Sequence, residues 1–202
     1  IEHSVLECAM AGCHTIWIAA AENTTPLIRH RLGDYVQDPV FLGRKNRFPS
    51  RDRRPIPIFY IPVLDRQDST LWSIMSSART IAEVSSSISK WLNPEKFFVS
   101  FPSGIYDIKI LRQHRASFIS EDNVLLSANR ETARDGAHLG FTFGISDLEA
   151  CERQFDELLN NNLFNNENNT FPLDKMLSGV ILEESEQIEL PFYYCVEDWE
   201  GY

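Results

Sequence analysis

The stretch KFFVSFPSGIYD, residues 96–107, decides how the rest of the chain is interpreted. Its apolar run FFVSF ends at Pro102-Ser103-Gly104, and the segment DIKILRQHR follows at once. An apolar run that stops at proline and glycine and continues into helical periodicity predicts a buried central strand, a tight turn and a helix. Ligands of open α/β sheets bind outside the carboxyl ends of such strands. We therefore expect any active site to centre on Ser103, Gly104 and Asp107.

Segments of opposite character alternate on both sides of this stretch. Apolar, β-rich runs predict strands, and apolar residues at helical spacing predict helices. The predicted strands include residues 14–20, 55–64, 138–143 and 188–196, and the clearest helices are residues 69–91 and 147–159. This alternation predicts one α/β domain over residues 1–202, with a mostly parallel central sheet covered by helices on both faces in three layers.

Composition excludes several classes of function. The 202 residues carry a formal net charge of −10, and general nucleic-acid binding is not expected because it needs a basic face. No apolar run approaches the ~20 residues of a membrane span, so we expect a soluble protein without membrane association. The four cysteines (Cys8, Cys13, Cys151 and Cys195) lack metal-binding spacing. They are expected to be small buried apolar residues in the reducing cytoplasm.

Residues 43–54, GRKNRFPSRDRR, form a basic segment within this acidic chain. Its lysine and arginine side chains are suited to clamping phosphate or another anion. The same composition is typical of a solvated surface loop. Both interpretations stay open.

Five segments, taken in order, resemble one enzyme family. Residues 1–20 are similar to a P-L-I-x-H helix that ends in A-G and feeds a strand, and residues 68–80 occupy the place of a G-T-A turn that opens a helix. Residues 97–107 stand where the family has its central strand and G-D turn. Residues 138–143, HLGFTF, resemble its G-x-y-x-F strand, and residues 193–202 resemble its closing W-x-D region. The family is the sugar-nucleotidyltransferase-type domain, a Rossmann-like (GT-A) fold.

This resemblance implies an enzyme that transfers a nucleotidyl group from a nucleoside triphosphate to a phosphorylated sugar or similar acceptor. The reaction depends on holding phosphate oxygens, usually with Mg²⁺ on carboxylates at strand ends. The implied cofactor is therefore Mg²⁺. The candidate residues are Ser69, Thr70, Ser103 and Gly104 for substrate binding, Asp107 for catalysis, and Asp107 with Asp198 for the metal.

Three features depart from the family pattern. Pro102-Ser103 stands where the metal-binding aspartate of the G-D turn is expected, and Asp68 stands where the G-T-A turn has its glycine. The family's first strand and glycine-rich loop would precede Ile1, so the domain is expected to lack both. The fold is therefore expected to be retained while the chemistry is changed or lost.

Each candidate residue also has a purely structural interpretation. Asp107 suits a helix N-cap, Asp198 suits an exposed acidic tail, and Ser103 with Gly104 suits a turn. The five histidines are scattered and predict no catalytic triad. The alternative function is thus a non-catalytic binding or assembly module with a protein partner, such as an accessory subunit of a larger complex or a virus particle.

Overall fold

The computed structural model describes residues 1–42, 55–63, 70–88, 94–150, 153 and 185–196. The basic segment, Ser69 and Asp198 lie outside the described residues. No helix in the described ranges has the length and apolar character needed to cross a membrane.

Helices and strands alternate from the first helix as far as the fourth strand. The helices are α1 (Glu2–Ala11), α2 (Thr25–Leu32), α3 (Pro39–Leu42), α4 (Thr70–Ile88), α5 (Lys109–Gln113) and α6 (Arg115–Ile119), with a 3-10 helix at Ala133–Asp135 and a further helix beginning at residues 145–150. The strands are β1 (Ile16–Ala21), β2 (Tyr35–Val36), β3 (Ile56–Val63), β4 (Lys96–Val99), β5 (Gly104–Ile105), β6 (Val124–Ala128), β7 (Glu131–Thr132), β8 (Phe141–Gly144), β9 (Glu186–Glu189) and β10 (Tyr194–Cys195).

The sheets are mixed and mostly antiparallel. One sheet has the order β1-β3-β2, in which β1 and β3 are parallel and β2 is antiparallel. The larger sheet has the order β4-β8-β6-β7, with β9 parallel to β6, and β5 pairs separately with β10. Five of the seven strand pairings in the described ranges are antiparallel. The prediction of a mostly parallel, three-layer Rossmann-like sheet is therefore wrong.

A short connection explains one of these antiparallel pairings. β6 and β7 are joined by Asn129-Arg130, whose φ angles are 53° and 71°. Positive φ at both central residues is typical of the two-residue turns that match the twist of an antiparallel hairpin. A parallel pair needs a crossover of about a dozen residues or more. The local turn therefore sets the direction of β7 relative to β6, which the alternation of apolar and helical segments does not reveal.

The predicted central strand lies at the edge of the described part of its sheet. β4 pairs with β8, and all four of its residues are partly exposed. β6 instead occupies the centre, with β7, β8 and β9 as neighbours, and all five of its residues are buried. Its sequence VLLSA is apolar on both faces, as expected of a strand covered on both sides.

Helix α1 lies between the two larger sheets. Val5 and Ala9 pack into the apolar cluster formed with β1 and β3. Met10 and Ala11 pack into a second cluster, which includes Leu126 of β6. A helix that is apolar on more than one side is a buried helix. α1 therefore joins the packing of the two sheets.

One carboxyl is buried in the middle of α1. Glu7 is 1% exposed, its Oε2 accepts a hydrogen bond from the Ser100 hydroxyl, and its Oε1 lies 3.2 Å from His3 Nε2. The Tyr106 hydroxyl lies beside the same carboxyl. Burial raises the pKa of Glu7 to about 7, and the hydrogen bond from Ser100 and the nearby Tyr106 hydroxyl limit the rise. Glu7 thus connects α1 to both ends of the segment 100–106.

The raised pKa of Glu7 predicts a pH-dependent stability. The carboxyl ionises at about 4.5 when unfolded and about 7 when folded, so the folded state binds more protons between these values. The contribution of Glu7 to the free energy of unfolding therefore falls as pH rises through this window. Glu7→Gln is expected to remove the fall, so that between pH 4.5 and 7 the variant gains up to about 3 kcal/mol relative to the wild type in urea denaturation.

Glu2→Gln is the matched control, because Glu2 lies on the same helix with an exposed side chain. It should follow the wild-type pH dependence. If Glu7→Gln also follows it, then Glu7 ionises in the folded protein as it does in the unfolded chain.

Candidate functional site

The turn at residues 102–104 is held in place from two directions. Gly104 N donates to Phe101 O at 3.3 Å, which closes the turn after β4. On one side, the Ser4 hydroxyl of α1 donates to the same oxygen at 3.3 Å. On the other side, β10 pairs with β5, and Val196 N donates to Ser103 O at 2.8 Å. The turn is therefore positioned by α1 and β10 together.

His138 faces this turn from the loop before β8. Its ring stacks on Phe101, with centroids 5.1 Å apart and planes at 19°. Its Nδ1 lies 3.1 Å from Ser103 Oγ and 3.9 Å from Cys195 Sγ. The Tyr193 hydroxyl donates to His138 O at 3.0 Å. A partly buried imidazole, a hydroxyl and a thiol thus meet at one point.

Gly104 permits this close approach. A Cβ at this position would lie 3.0 Å from His138 O and 3.2 Å from Tyr193 Cε2. The first of these atoms belongs to the backbone, so it cannot move aside as the end of a side chain can. The absence of a side chain at Gly104 therefore allows the His138 loop to pack against the turn.

The β5–β10 ribbon has two different faces. Cys195 pairs with Gly104 and directs its thiol toward His138. Side chains alternate along a strand, so the neighbouring pair, Tyr194 and Ile105, lies on the opposite face. These two side chains are 66% and 41% exposed. The inner face, with Gly104 and Cys195, therefore contributes to the site. The outer face, with Ile105 and Tyr194, is apolar and exposed.

The Ser103–His138 contact is suited to proton transfer and to anion binding. An unprotonated Nδ1 accepts the hydroxyl hydrogen of Ser103, and a protonated Nδ1 donates to the hydroxyl oxygen. The pair can therefore move a proton, or it can present a hydroxyl and an imidazolium as donors to an anionic oxygen.

The structure places the predicted site residues on separate elements. Ser103 and Gly104 lie together in the turn, beside His138. Asp107 lies at the start of α5, where its Oδ1 accepts a hydrogen bond from Lys109 N at 3.0 Å. Thr70 begins α4. Ser69 and Asp198 lie outside the described residues, so the pairing of Asp107 with Asp198 stays a prediction.

The donors around His138 do not match a magnesium site. Among the residues that the structure describes, His138 Nδ1 contacts a thiol and a hydroxyl, whereas Mg²⁺ prefers carboxylate, phosphate and water oxygens in octahedral geometry. Across the residues that the structure covers, no three histidine, cysteine or acidic side chains are grouped to hold a metal ion. The described side chains at the turn therefore act as hydrogen-bonding groups.

His138 and Cys195 are site residues that the sequence did not predict. Ser103 is separated from His138 by 35 positions, and Cys195 is separated from His138 by 57. The only signal in the sequence was that His138 begins one predicted strand and Cys195 lies in another. Finding the contact requires knowing that β10 pairs with β5, which apolar patterning alone does not specify.

No known family model matches the chain, and no curated protein matches it significantly.

Gly104→Ala is expected to destabilise the protein by about 1–3 kcal/mol, because the added methyl group meets the backbone of the His138 loop. Chemical denaturation measures this loss. Gly144→Ala is the matched control, since the nearest atom to its new Cβ would be 3.4 Å away, an ordinary contact. Equal stability of the two variants would show that the His138 loop does not press against the turn.

Proposed function

We propose that the chain is a nucleotidyltransferase-like protein that binds a nucleoside triphosphate at the turn 102–104. Its acceptor is a phosphorylated sugar or a similar small phosphorylated molecule. The observation that carries the proposal is the 3.1 Å contact between Ser103 Oγ and His138 Nδ1. This contact lies just after β4, at the position where the resemblance implies the catalytic centre.

In nucleotidyl transfer, an oxygen of the acceptor phosphate attacks the α-phosphorus of the nucleotide. The bond to the bridging oxygen breaks, and pyrophosphate leaves. Catalysis of phosphoryl chemistry is mainly positioning and stabilisation of charge on phosphate oxygens. Fixed hydrogen-bond donors provide both, and the Ser103 hydroxyl and the His138 ring are fixed by the turn and by stacking on Phe101.

Ser103 and His138 give a physical reason why Pro102-Ser103 replaces the metal-binding aspartate of the G-D turn. A carboxylate contacts a phosphate favourably only when a cation lies between them. A hydroxyl and an imidazolium donate hydrogen bonds to the phosphate directly. In the proposed function, Mg²⁺ arrives as part of the substrate, because it reaches such sites on the phosphates. Asp107 is the carboxylate proposed to meet it.

Nucleotide binding is tested by thermal unfolding of the full chain with each of the four nucleoside triphosphates and Mg²⁺. A ligand at about 100 times its Kd adds about 2.7 kcal/mol to the free energy of unfolding. For a chain of this size, the melting temperature is then expected to rise by roughly 5–10 °C. Ser103→Ala and His138→Gln should each reduce the rise.

Ser87→Ala is the matched control, since its hydroxyl is exposed on α4 and donates to Val84 O. It should keep the full rise. Asp107→Asn should abolish only the Mg²⁺-dependent part of nucleotide binding. A change in protein stability alone would show that Asp107 only accepts the hydrogen bond from Lys109 N at the start of α5. The absence of any rise at about 1 mM, the upper end of ordinary substrate affinities, would overturn the proposed function.

A second candidate function, a non-catalytic assembly module, is favoured by the outer face of the β5–β10 ribbon. Ile105, Phe192 and Tyr194 are 41%, 44% and 66% exposed, and the rings of Phe192 and Tyr194 lie 6.0 Å apart. Adjacent exposed apolar and aromatic side chains are typical of protein contact surfaces. In this function, the ribbon pairs with a second copy of the chain.

Native mass measurement over a range of concentrations tests the assembly. The wild type is expected to dimerise, and Phe192→Ser with Tyr194→Ser should raise the dimer dissociation constant at least about tenfold, which corresponds to about 1.4 kcal/mol. Leu27→Ser is the matched control, because Leu27 is a 72% exposed side chain on a different element, α2. A wild type that stays monomeric at the highest concentration would contradict self-assembly.

A further inference from the structure

The end of helix α1 brings two cysteines together. Gly12 follows the helix with φ of 102°, and both Gly12 N and Cys13 N donate to Cys8 O, at 3.2 and 3.1 Å. The bond from Cys13 N is the six-to-one bond of a Schellman motif, and the bond from Gly12 N is the five-to-one bond of an αL cap. An apolar contact between the residues at the two ends of the closed ring often accompanies such caps. Here both of those residues are cysteines.

The two thiols have different acid–base properties. The adjacent Cys8 thiol lowers the pKa of Cys13, burial opposes this, and the nearby Arg115 cation lowers the pKa further. The adjacent Cys13 thiol and burial raise the pKa of Cys8 well above its usual range. Thiolates are the reactive form of cysteine. Cys13 is therefore suited to be the nucleophile, and Cys8 is suited to be its partner.

Arg115 is fixed at this end of the helix. Its Nη1 donates to Ala9 O at 3.2 Å, and its Nη2 donates to Asp38 Oδ2 at 2.8 Å. A Cβ on Gly12 would lie 3.0 Å from Arg115 Nε, so the guanidinium lies directly against the cap. Cys8 and Cys13 are both partly exposed. The Cys13 thiol therefore lies near a cation that the fold holds in place.

We propose that Cys8 and Cys13 form a reversible disulfide across the cap of α1 when the protein meets hydrogen peroxide. The cap holds their backbones across one hydrogen-bonded ring, and disulfides join residues whose Cα atoms are about 4.4–6.8 Å apart. The site is separate from the Ser103–His138 site and does not depend on nucleotide binding.

The reaction proceeds in two steps. The Cys13 thiolate attacks one oxygen of the peroxide, the O–O bond breaks, and the departing hydroxide takes a proton to give water and a Cys13 sulfenic acid. The Cys8 sulfur then attacks the Cys13 sulfur, the S–O bond breaks, and the hydroxide leaves as water with the Cys8 proton. One peroxide and two thiols give one disulfide and two waters, and a dithiol reductant reverses the product.

The test treats the folded full chain with hydrogen peroxide, alkylates the remaining thiols under denaturing conditions and maps tryptic peptides by mass. The peptide that ends at Arg29 carries both cysteines. It is expected to be unalkylated and lighter by two hydrogens, and dithiothreitol should restore both alkylation sites. Cys195→Ser, which removes a thiol outside the pair, should leave the disulfide yield unchanged.

Two variants separate the roles of the pair. In Cys8→Ser the sulfenic acid should persist on Cys13 and react with dimedone at least about tenfold more than Cys8 does in Cys13→Ser. The proposal is overturned if both cysteines of the wild type remain fully alkylatable while Cys195 is oxidised. It is also overturned if the two single variants label with dimedone to the same extent.

Discussion

The buried Glu7 carboxyl is the contact on which the arrangement of α1 and the segment 100–106 depends. It connects a helix that packs on two sheets with Ser100 before the turn and Tyr106 after it. Removing one partner from a buried carboxyl costs more than the bond itself contributes, because the carboxyl is then left without compensation. This polar contact therefore fixes how α1 and the turn sit relative to each other.

The contact between Glu7 and Ser100 also positions the Ser103–His138 site. α1 holds Ser100 and Phe101, and Phe101 in turn supports the imidazole by stacking. Hydrogen bonds of this kind orient a site only when the atoms behind them are equally fixed. The residues that face a ligand are thus few, while the residues that place them extend through α1, β4 and β10.

Local patterning predicted elements better than it predicted their pairing. The strands at residues 14–20 and 55–64 and the helix at residues 69–91 are confirmed as β1, β3 and α4, because burial imposes a period that is visible in the sequence. The turn at Pro102-Ser103-Gly104 is confirmed as well. The prediction of a mostly parallel sheet with its central strand in residues 96–107 is wrong, because the hairpin turn at Asn129-Arg130 and strand pairings between distant parts of the chain decide direction and order. The site was predicted only in part. Ser103 and Gly104 lie in a turn that local sequence reveals, whereas His138 and Cys195 reach the site through long-range packing and strand pairing.

The burial of Glu7 has a further consequence for the energetics of this chain. At about pH 6, the unfolded carboxyl is ionised and the folded one is mostly protonated, so this carboxyl takes up most of one proton from the buffer on folding. The heat of folding then includes the ionisation enthalpy of whatever buffer supplies that proton. Calorimetric enthalpies measured in buffers of different ionisation heat should therefore differ, even though the folded structure is the same in each.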